Sequence, residues 1–399
     1  MVKVNGKPRR LKIAIVLDRF LPSRGGESYF PWLAKELSRR GHEVHIFAMV
    51  TEKTAAKGFH VHRIPVLPYP PSLRIFSFFL RSARATRFYH FDIIHGVGRS
   101  LAMNVFNPHG GVERAYLKQE FSSITNRYYY AYKCMKRYLS VQHYLKIWIQ
   151  KKQYMGDGVK KIIAISQMVK DDIIQHYGVS EEKIALVFNC VDLDRFHPKN
   201  RDIFRNAKRA ELGIDEDALL FLFAGNNYRL KGLHTLLHAV VLLRQWFPDQ
   251  PFRLLVAGRG QIGRYRRMAR KLGISDLTLF LGPVRDMEQY YAMSDIYVHP
   301  TFYDSCSLTV LEALASGLPV ITSRFNGAAE AIASNKAGKV LGDPANVEEL
   351  AESIAYYFDE DRRNVAQVVA RQEIEKYSST HNVEETLRIY YEVAEGAQM

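Results

Sequence analysis

Cysteine is scarce. The 399-residue chain has three, Cys134, Cys190 and Cys306, odd in number and far apart, so neither a disulfide framework nor a zinc site is expected, and a reducing cytosol suits it. No uninterrupted apolar run approaches the ~20 residues that cross a bilayer. The basic stretch 1–10 leads into a strand-length apolar run without a small-residue cleavage site, so no signal peptide is expected. Acids are also short: 41 Asp and Glu stand against 56 Lys and Arg, a net charge of +15. That imbalance favours a polyanionic partner, whether nucleic acid, an anionic membrane surface or a phosphorylated glycolipid, and alone it does not separate them. Apolar residues are not lacking. At 47% they fit a globular protein and exclude a disordered one.

Short apolar runs alternate with amphipathic segments along the whole chain, which is the pattern of α/β construction. Strands are expected at Leu11–Leu17, Val44–Met49, His60–Val66, Asp92–His95, Met103–Asn107, Lys161–Ile165 and Ile184–Phe188, with a helix over Glu27–Arg40 closed by Gly41. A second series opens at Ala218–Ala224 and continues through Phe252–Ala257, Leu277–Leu281, Ile296–His299 and Val320–Thr322. The charged stretch Pro198–Arg209 between the series reads as the linker. The expected domains are therefore 1–199, 200–377 and a terminal helical segment, 378–399. Open parallel sheets bind ligands at the carboxyl ends of their strands.

The most informative segment is residues 300–321. Asp304 is followed by the small-residue turn Ser305-Cys306-Ser307, an apolar helix start and a second acid, Glu312, eight residues on. Gly317 and Pro319 then stop the helix. Amides of Cys306, Ser307 and Leu308 at a helix start suit a phosphate, and flanking carboxylates suit sugar hydroxyls. A nucleotide sugar has both. Gly25 and Gly26, between the first strand and its helix, let a phosphate approach backbone amides, though an ordinary turn reads the same way. Arg229 and Lys231, at a strand end before a helix, suit a diphosphate or are solvated loop charges. Gly258-Arg-Gly260 lacks the downstream acid of a dinucleotide site, so a nicotinamide cofactor is rejected.

The segment 304–321 resembles the signature of glycosyltransferase family 4, in which Glu, seven residues and Glu precede Ala-Met-Ala-x-Gly-x-Pro-Val. Here Asp304 replaces the first Glu, and Leu311-Glu-Ala-Leu-Ala-Ser-Gly-Leu-Pro-Val320 supplies the rest. The resemblance implies the GT-B fold, two Rossmann-like α/β domains facing a central cleft, and retaining transfer from a nucleotide sugar without a metal or other cofactor. In keeping with that, the proposed donor segments have no Asp-x-Asp pair or histidine-rich cluster beside them. The resemblance further implies catalytic roles for His109, Lys231 and Asp304. It implies donor contacts from Gly25, Gly26, Arg229, Val284, Cys306, Ser307, Leu308 and Glu312. Asn226 stands where the family has arginine, so Arg229 is expected to supply that charge from a shifted position.

Between Lys118 and Tyr154 lie eight Lys or Arg, one acid and nine aromatics. Such an insert suits a lipid headgroup interface, with single-stranded RNA and plain core helices as the competing readings. No RNA-binding signature accompanies it, so no nucleic-acid partner is expected. Leu73–Phe91, with Ile75, Phe76, Phe78 and Phe79, repeats the theme. Within the family the chain is most similar to lipopolysaccharide core heptose glucosyltransferases. This implies a donor such as UDP-glucose, a glycolipid acceptor and a peripheral position on the inner face of the cytoplasmic membrane. An exopolysaccharide or lipid-linked oligosaccharide transferase, or a non-catalytic nucleotide-sugar-binding protein, fits the same residues.

Overall fold

A computed structural model describes residues 3–4, 7–21, 29–51 and 58–396. Gly25 and Gly26 lie outside them. The chain forms two compact units, one of residues 1–118, 124–188 and 380–399, the other of 119–123 and 189–379.

After a short antiparallel pair, β1 (Lys3–Val4) and β2 (Lys7–Pro8), the first unit holds a seven-stranded sheet. Its strands are β3 (Lys12–Phe20), β4 (Glu43–Thr51), β5 (His60–Arg63), β6 (Ile93–Val97), β7 (Val105–Asn107), β8 (Lys161–Ala164) and β9 (Ile184–Leu186). They are parallel, in the order β5-β4-β3-β6-β7-β8-β9. The terminal helix Ser379–Glu395 belongs to this unit, with Tyr390 fully buried and its hydroxyl 2.5 Å from His95 Nδ1.

The second unit's sheet comprises β10 (Leu219–Ala224), β11 (Phe252–Ala257), β12 (Thr278–Gly282), β13 (Ile296–His299), β14 (Val320–Ser323) and β15 (Gly338–Leu341). All are parallel, in the order β12-β11-β10-β13-β14-β15. Every residue of β10 and β13 is buried, as expected for strands covered on both faces, and this is why they read as unbroken apolar runs. The chain runs from β10 outward to β12, then returns to place β13 beside β10. The direction of winding reverses between those two strands, leaving a crevice beyond their carboxyl ends.

The stretch read as a linker is instead structured. Asn200–Glu211 is a helix of the second unit. Arg201, Arg205 and Arg209 recur every four residues and so share one face. All three reach Asp295, at 2.9, 2.9 and 2.6 Å. Arg209 is 1% exposed and also donates to the carbonyls of Met293, Asp215, Glu216 and Ala218. Burial alone would raise the Asp295 pKa, but the three guanidiniums outweigh it and hold the group below the usual carboxylate range. β15 and the β1–β2 pair were not legible in the sequence.

Removing one member of a buried, hydrogen-bonded ion cluster strands the others. Asp295→Ala should therefore cost the second unit about 3 kcal/mol or more, against less than about 1 kcal/mol for Asp276→Ala in the exposed Arg244–Asp276 pair. Denaturant midpoints of the two variants measure the difference. Equal midpoints would mean that the arginine face contributes nothing to stability.

Candidate active site

Two loops meet at the reversal point of the second sheet, residues 225–232 after β10 and 300–307 after β13. Leu230 carbonyl accepts from Phe302 N at 2.8 Å and from Thr301 Oγ1 at 3.2 Å. Gly232 has φ +77°, and a Cβ there would lie 2.0 Å from the Pro300 carbonyl oxygen. Only glycine permits that approach. Gly258 and Gly260 have the same kind of role: added Cβ atoms would meet Gly225 O at 2.0 Å and the Tyr228 ring at 2.1 Å. The Gly-Arg-Gly turn is thus a packing feature that seats the first loop.

The outcome of this packing is an ion pair. Lys231 Nζ lies 2.5 Å from Asp304 Oδ2 and donates to Tyr303 O at 3.2 Å. Both side chains keep some exposure, 17% and 20%, so a ligand can reach them. His299, 1% exposed, places Nε2 3.6 Å from the same carboxylate oxygen. Burial alone would raise the Asp304 pKa, but the Lys231 charge and the contacts with His299 and Lys231 hold it well below the usual carboxylate range. Burial lowers the pKa of His299, so this imidazole is neutral near pH 7.

Asn326 fixes the backbone around the acid and is the residue that sequence reasoning missed. It is 1% exposed, accepts from the Ser307 and Ala328 amides at 3.2 and 3.1 Å, and donates to Thr322 Oγ1 at 3.0 Å. Asp304 N donates to Phe325 O, and Gly327 N donates to Asp304 O. The Asn326-Gly327 dipeptide after β14 was the available signal, a turn that offers a side-chain acceptor. Its consequence is that the Ser307 amide already has an internal acceptor. Ser307 Oγ makes no capping bond to the helix Leu308–Ala315 and instead lies 3.0 Å from Thr309 Oγ1. Cys306 is 5% exposed, and its carbonyl accepts from Asn189 Nδ2 at 3.1 Å. Burial pushes its thiol well above the ordinary range.

The other residues read from the sequence are placed as follows. Glu312 sits in the helix, roughly 6 Å along its axis from Leu308, with Oε2 3.0 Å from the Tyr291 hydroxyl. Val284 follows the end of β12, two strands and therefore about 10 Å across the sheet from β10. Arg229 does not point freely at this crevice. It donates to Glu120 O at 2.9 Å, Ser123 Oγ at 2.5 Å and Glu120 Oε1 at 3.2 Å, within the second unit. Asn226 likewise has an internal partner, the Arg259 amide at 2.9 Å. Lys231 is thus the cation that the structure puts against Asp304. Among the described residues no group of three or more His, Cys, Asp or Glu is arranged to hold a metal ion.

In the first unit His109 follows β7 at the carboxyl edge of its sheet, its ring 5.1 Å from those of both Tyr29 and Phe30. Asn107, two residues earlier and 1% exposed, has no protein partner for either amide atom. The insert divides in two. The helix Arg127–Tyr138 buries no residue, which rules out a core role for it, and Tyr128 and Tyr138 are 80% and 74% exposed. The helix Val141–Tyr154 buries Ile149, Gln153 and Tyr154. The upstream segment divides in the same way: Ile75, Phe78 and Phe79 are buried core residues, whereas Leu73, Phe76 and Leu80 are 39%, 36% and 46% exposed.

Two parallel α/β units of this kind make up the GT-B fold, which the solved structures similar to this chain share. Family profiles described as Glycosyltransferase Family 4 and Glycosyl transferases group 1 match residues 23–195 and 204–376. The chain thus carries a Glycosyltransferase Family 4 domain followed by a Glycosyl transferases group 1 domain. It is similar to the D-inositol 3-phosphate glycosyltransferase of Corynebacterium urealyticum, 30% identical over 60% of this chain and 58% of that protein. The chain spans about half the length of the first such relatives it matches. It is also similar to the lipopolysaccharide glucosyltransferase WaaG of Escherichia coli, 23% identical over 85% of this chain and 87% of that one. A crystal structure of WaaG superposes with a TM-score of 0.79 at 21% identity, covering 95% of this chain and 99% of that one. Anabaena HepE in complex with UDP and glucose gives 0.71 at 17% identity, covering 96% and 100%.

Burial lifts the Glu312 carboxyl from its ordinary 4.5 to about 7, against the opposing hydrogen bond from Tyr291. A raised carboxyl pKa favours folding fully below about pH 4.5, and that contribution is lost as pH climbs through about 7. Glu312→Gln keeps the shape and removes the titration, so it should flatten the fall in stability between about pH 5 and 8, by up to about 3 kcal/mol. Denaturant midpoints across that range read it out. Parallel curves for parent and variant would return Glu312 to the ordinary carboxylate range.

Proposed function

We propose that this protein is a retaining hexosyltransferase that moves glucose from UDP-glucose to a membrane-anchored glycolipid of the lipopolysaccharide inner-core kind. The observation that carries this reading is the Lys231–Asp304 pair at the reversal point of the second sheet. Before donor binds, each charge neutralises the other. A diphosphate entering the crevice would take the ammonium, leaving the ionised carboxylate to accept hydrogen bonds from sugar hydroxyls. Glu312 would take the ribose, and Val284 the base through its backbone. In the reaction the bond from C1 of the sugar to the phosphate oxygen breaks, and a bond from C1 to an acceptor hydroxyl oxygen forms. The acceptor proton goes to the departing phosphate, so no separate protein base is required. Lys231 stabilises the charge that grows on that phosphate, which is where a fixed cation lowers a barrier most. His109 keeps its proposed role as a sugar contact.

Membrane placement belongs to the same proposal. Tyr128, Tyr138, Leu139 and Val141 are 70–80% exposed on and beside a helix that buries nothing, among many cations. Aromatic rings at a headgroup boundary and amines on lipid phosphates account for a surface of this composition. No described helix is long and apolar enough to cross a membrane, so attachment would be peripheral.

Lys231→Ala should lower turnover about 100-fold, on the order of 3 kcal/mol of barrier, in an assay of UDP release with UDP-glucose and purified core glycolipid. Excess EDTA should leave the parent rate within about twofold, because Lys231 carries the diphosphate charge. A Lys231→Ala enzyme as fast as the parent, or abolition by EDTA with recovery on adding magnesium, would sink this mechanism. UDP binding without UDP release from any donor in a panel of UDP-, GDP- and ADP-sugars would indicate a binding protein instead.

For the membrane half, flotation with anionic vesicles is the measurement. Replacing Tyr128, Tyr138, Leu139 and Val141 together by serine should abolish flotation while leaving the far-ultraviolet circular dichroism unchanged. A variant that still floats like the parent would remove this surface from consideration.

A further inference from the structure

A buried histidine beside the Lys231–Asp304 pair has no part in the reaction described so far. His299 ends β13 and is 1% exposed. Its carbonyl accepts from Thr322 Oγ1 at 2.9 Å and from Thr301 N at 2.7 Å, which fixes the backbone. Its ring stacks on those of Phe223 and Tyr297, with centroids 6.0 Å away in both cases. A ring gripped in this way moves little, so what its two nitrogens face decides what it does.

The Tyr297 hydroxyl lies 3.4 Å from Nδ1. Its own hydrogen goes to Thr309 Oγ1 at the shorter distance of 2.7 Å, so the phenol oxygen is left as an acceptor toward the ring. The Ala224 carbonyl, a second acceptor, also faces the imidazole. This hydrogen-bond pattern assigns the proton of the neutral ring to Nδ1. Nε2 is then a bare lone pair. It is buried without a partner, 3.6 Å from Asp304 Oδ2 and too far for a hydrogen bond. Two acceptors face each other there, and the Lys231 ammonium, 2.5 Å from the same oxygen, offsets their repulsion. The ammonium also keeps a proton off Nε2. Burial lowers the His299 pKa most and the Lys231 charge adds to it, while Asp304 opposes both.

A diphosphate that takes the ammonium reverses this balance. The Asp304 carboxylate would be left facing a bare nitrogen with no counter-ion, and a half-buried charge of that kind is costly. One proton added to Nε2 removes both faults. It turns the lone pair into a donor and restores a positive charge beside the carboxylate. Closing 3.6 Å to the length of a charge-assisted hydrogen bond takes a shift of under about 1 Å.

We propose that His299 is a positioning residue that replaces Lys231 as the partner of Asp304 when donor binds, taking up one proton from solvent as it does so. The imidazolium then holds Oδ2 and leaves Oδ1 to the sugar hydroxyls. The proton returns to solvent when the diphosphate leaves and Lys231 closes again on the carboxylate. The exchange presupposes that the pair receives a diphosphate, as in the proposed function.

Full-length protein with labelled histidine tests the exchange, the His299 resonance being assigned with His299→Gln. With UDP as the probe, the proton affinity of His299 should rise about tenfold or more. Calorimetry in buffers of different ionisation enthalpy should show protons taken up on UDP binding near pH 7. Lys231→Met keeps the stem and removes the charge, so His299 should gain the same proton affinity with no UDP present. Adding Asp304→Asn to Lys231→Met should abolish that gain. UDP affinity should fall about tenfold in His299→Phe, which keeps a ring but offers no donor, and stay within about threefold in His299→Gln, whose amide restores one. Equal losses in those two variants, a His299 unmoved by Lys231→Met, or UDP bound with no proton taken up would overturn the exchange. A parent that binds no UDP would overturn the proposed function instead, and Lys231→Met, which needs no nucleotide, would still decide whether His299 answers the loss of the ammonium.

Discussion

A lysine ammonium held 2.5 Å from a carboxylate, where the second sheet reverses its winding, organises the candidate site. Each neighbouring feature serves that contact. Gly232 lets the lysine loop lie against the Pro300 carbonyl, Leu230 ties the two loops together, and Asn326 holds the backbone that presents Asp304. The pair also keeps both groups charged in a half-buried place where a lone charge would be costly. Under the proposed function, a diphosphate would take over the ammonium and sugar hydroxyls would hydrogen-bond the carboxylate.

The first unit contributes a different kind of surface. Its sheet is conventional, but the insert between β7 and β8 puts a helix with no buried residue on the outside and a cationic cavity at its end. Rings and cations are thereby sorted. Tyr128, Tyr138 and Leu139 project where they gain no internal packing, while Lys136, Arg137 and Lys146 converge around a small space.

Much of the fold was legible because buried parallel strands must be apolar throughout. Leu219–Ala224, Phe252–Ala257 and Ile296–His299 stood out for that reason, and the Asp304–Glu312 spacing could be placed on a loop and helix from Gly317 and Pro319 alone. The readings that needed revision depended on what a polar side chain touches. Arg201, Arg205 and Arg209 read as linker charge but close on Asp295. Arg229 read as a diphosphate cation but is anchored on Glu120 and Ser123. The amide of Ser307, read as open to a ligand, is occupied by Asn326. Ile75, Phe78 and Phe79 resembled the exposed insert in composition, yet they are buried.

The sequence by itself determined the alternation of strand and helix, the two α/β series, the acids and lysine of the candidate site and the unusual charge of the insert. These are set by local periodicity and residue type, which act over a few neighbours along the chain. Only the tertiary structure decided which cation meets Asp304, which amides are spoken for, and which aromatics are core or surface. A long polar side chain reaches 6 Å or so in many directions, and its partner is chosen by loops brought together from 70 or more residues away, as Lys231 and Asp304 are. Composition records that a charge is present, and packing decides what it does.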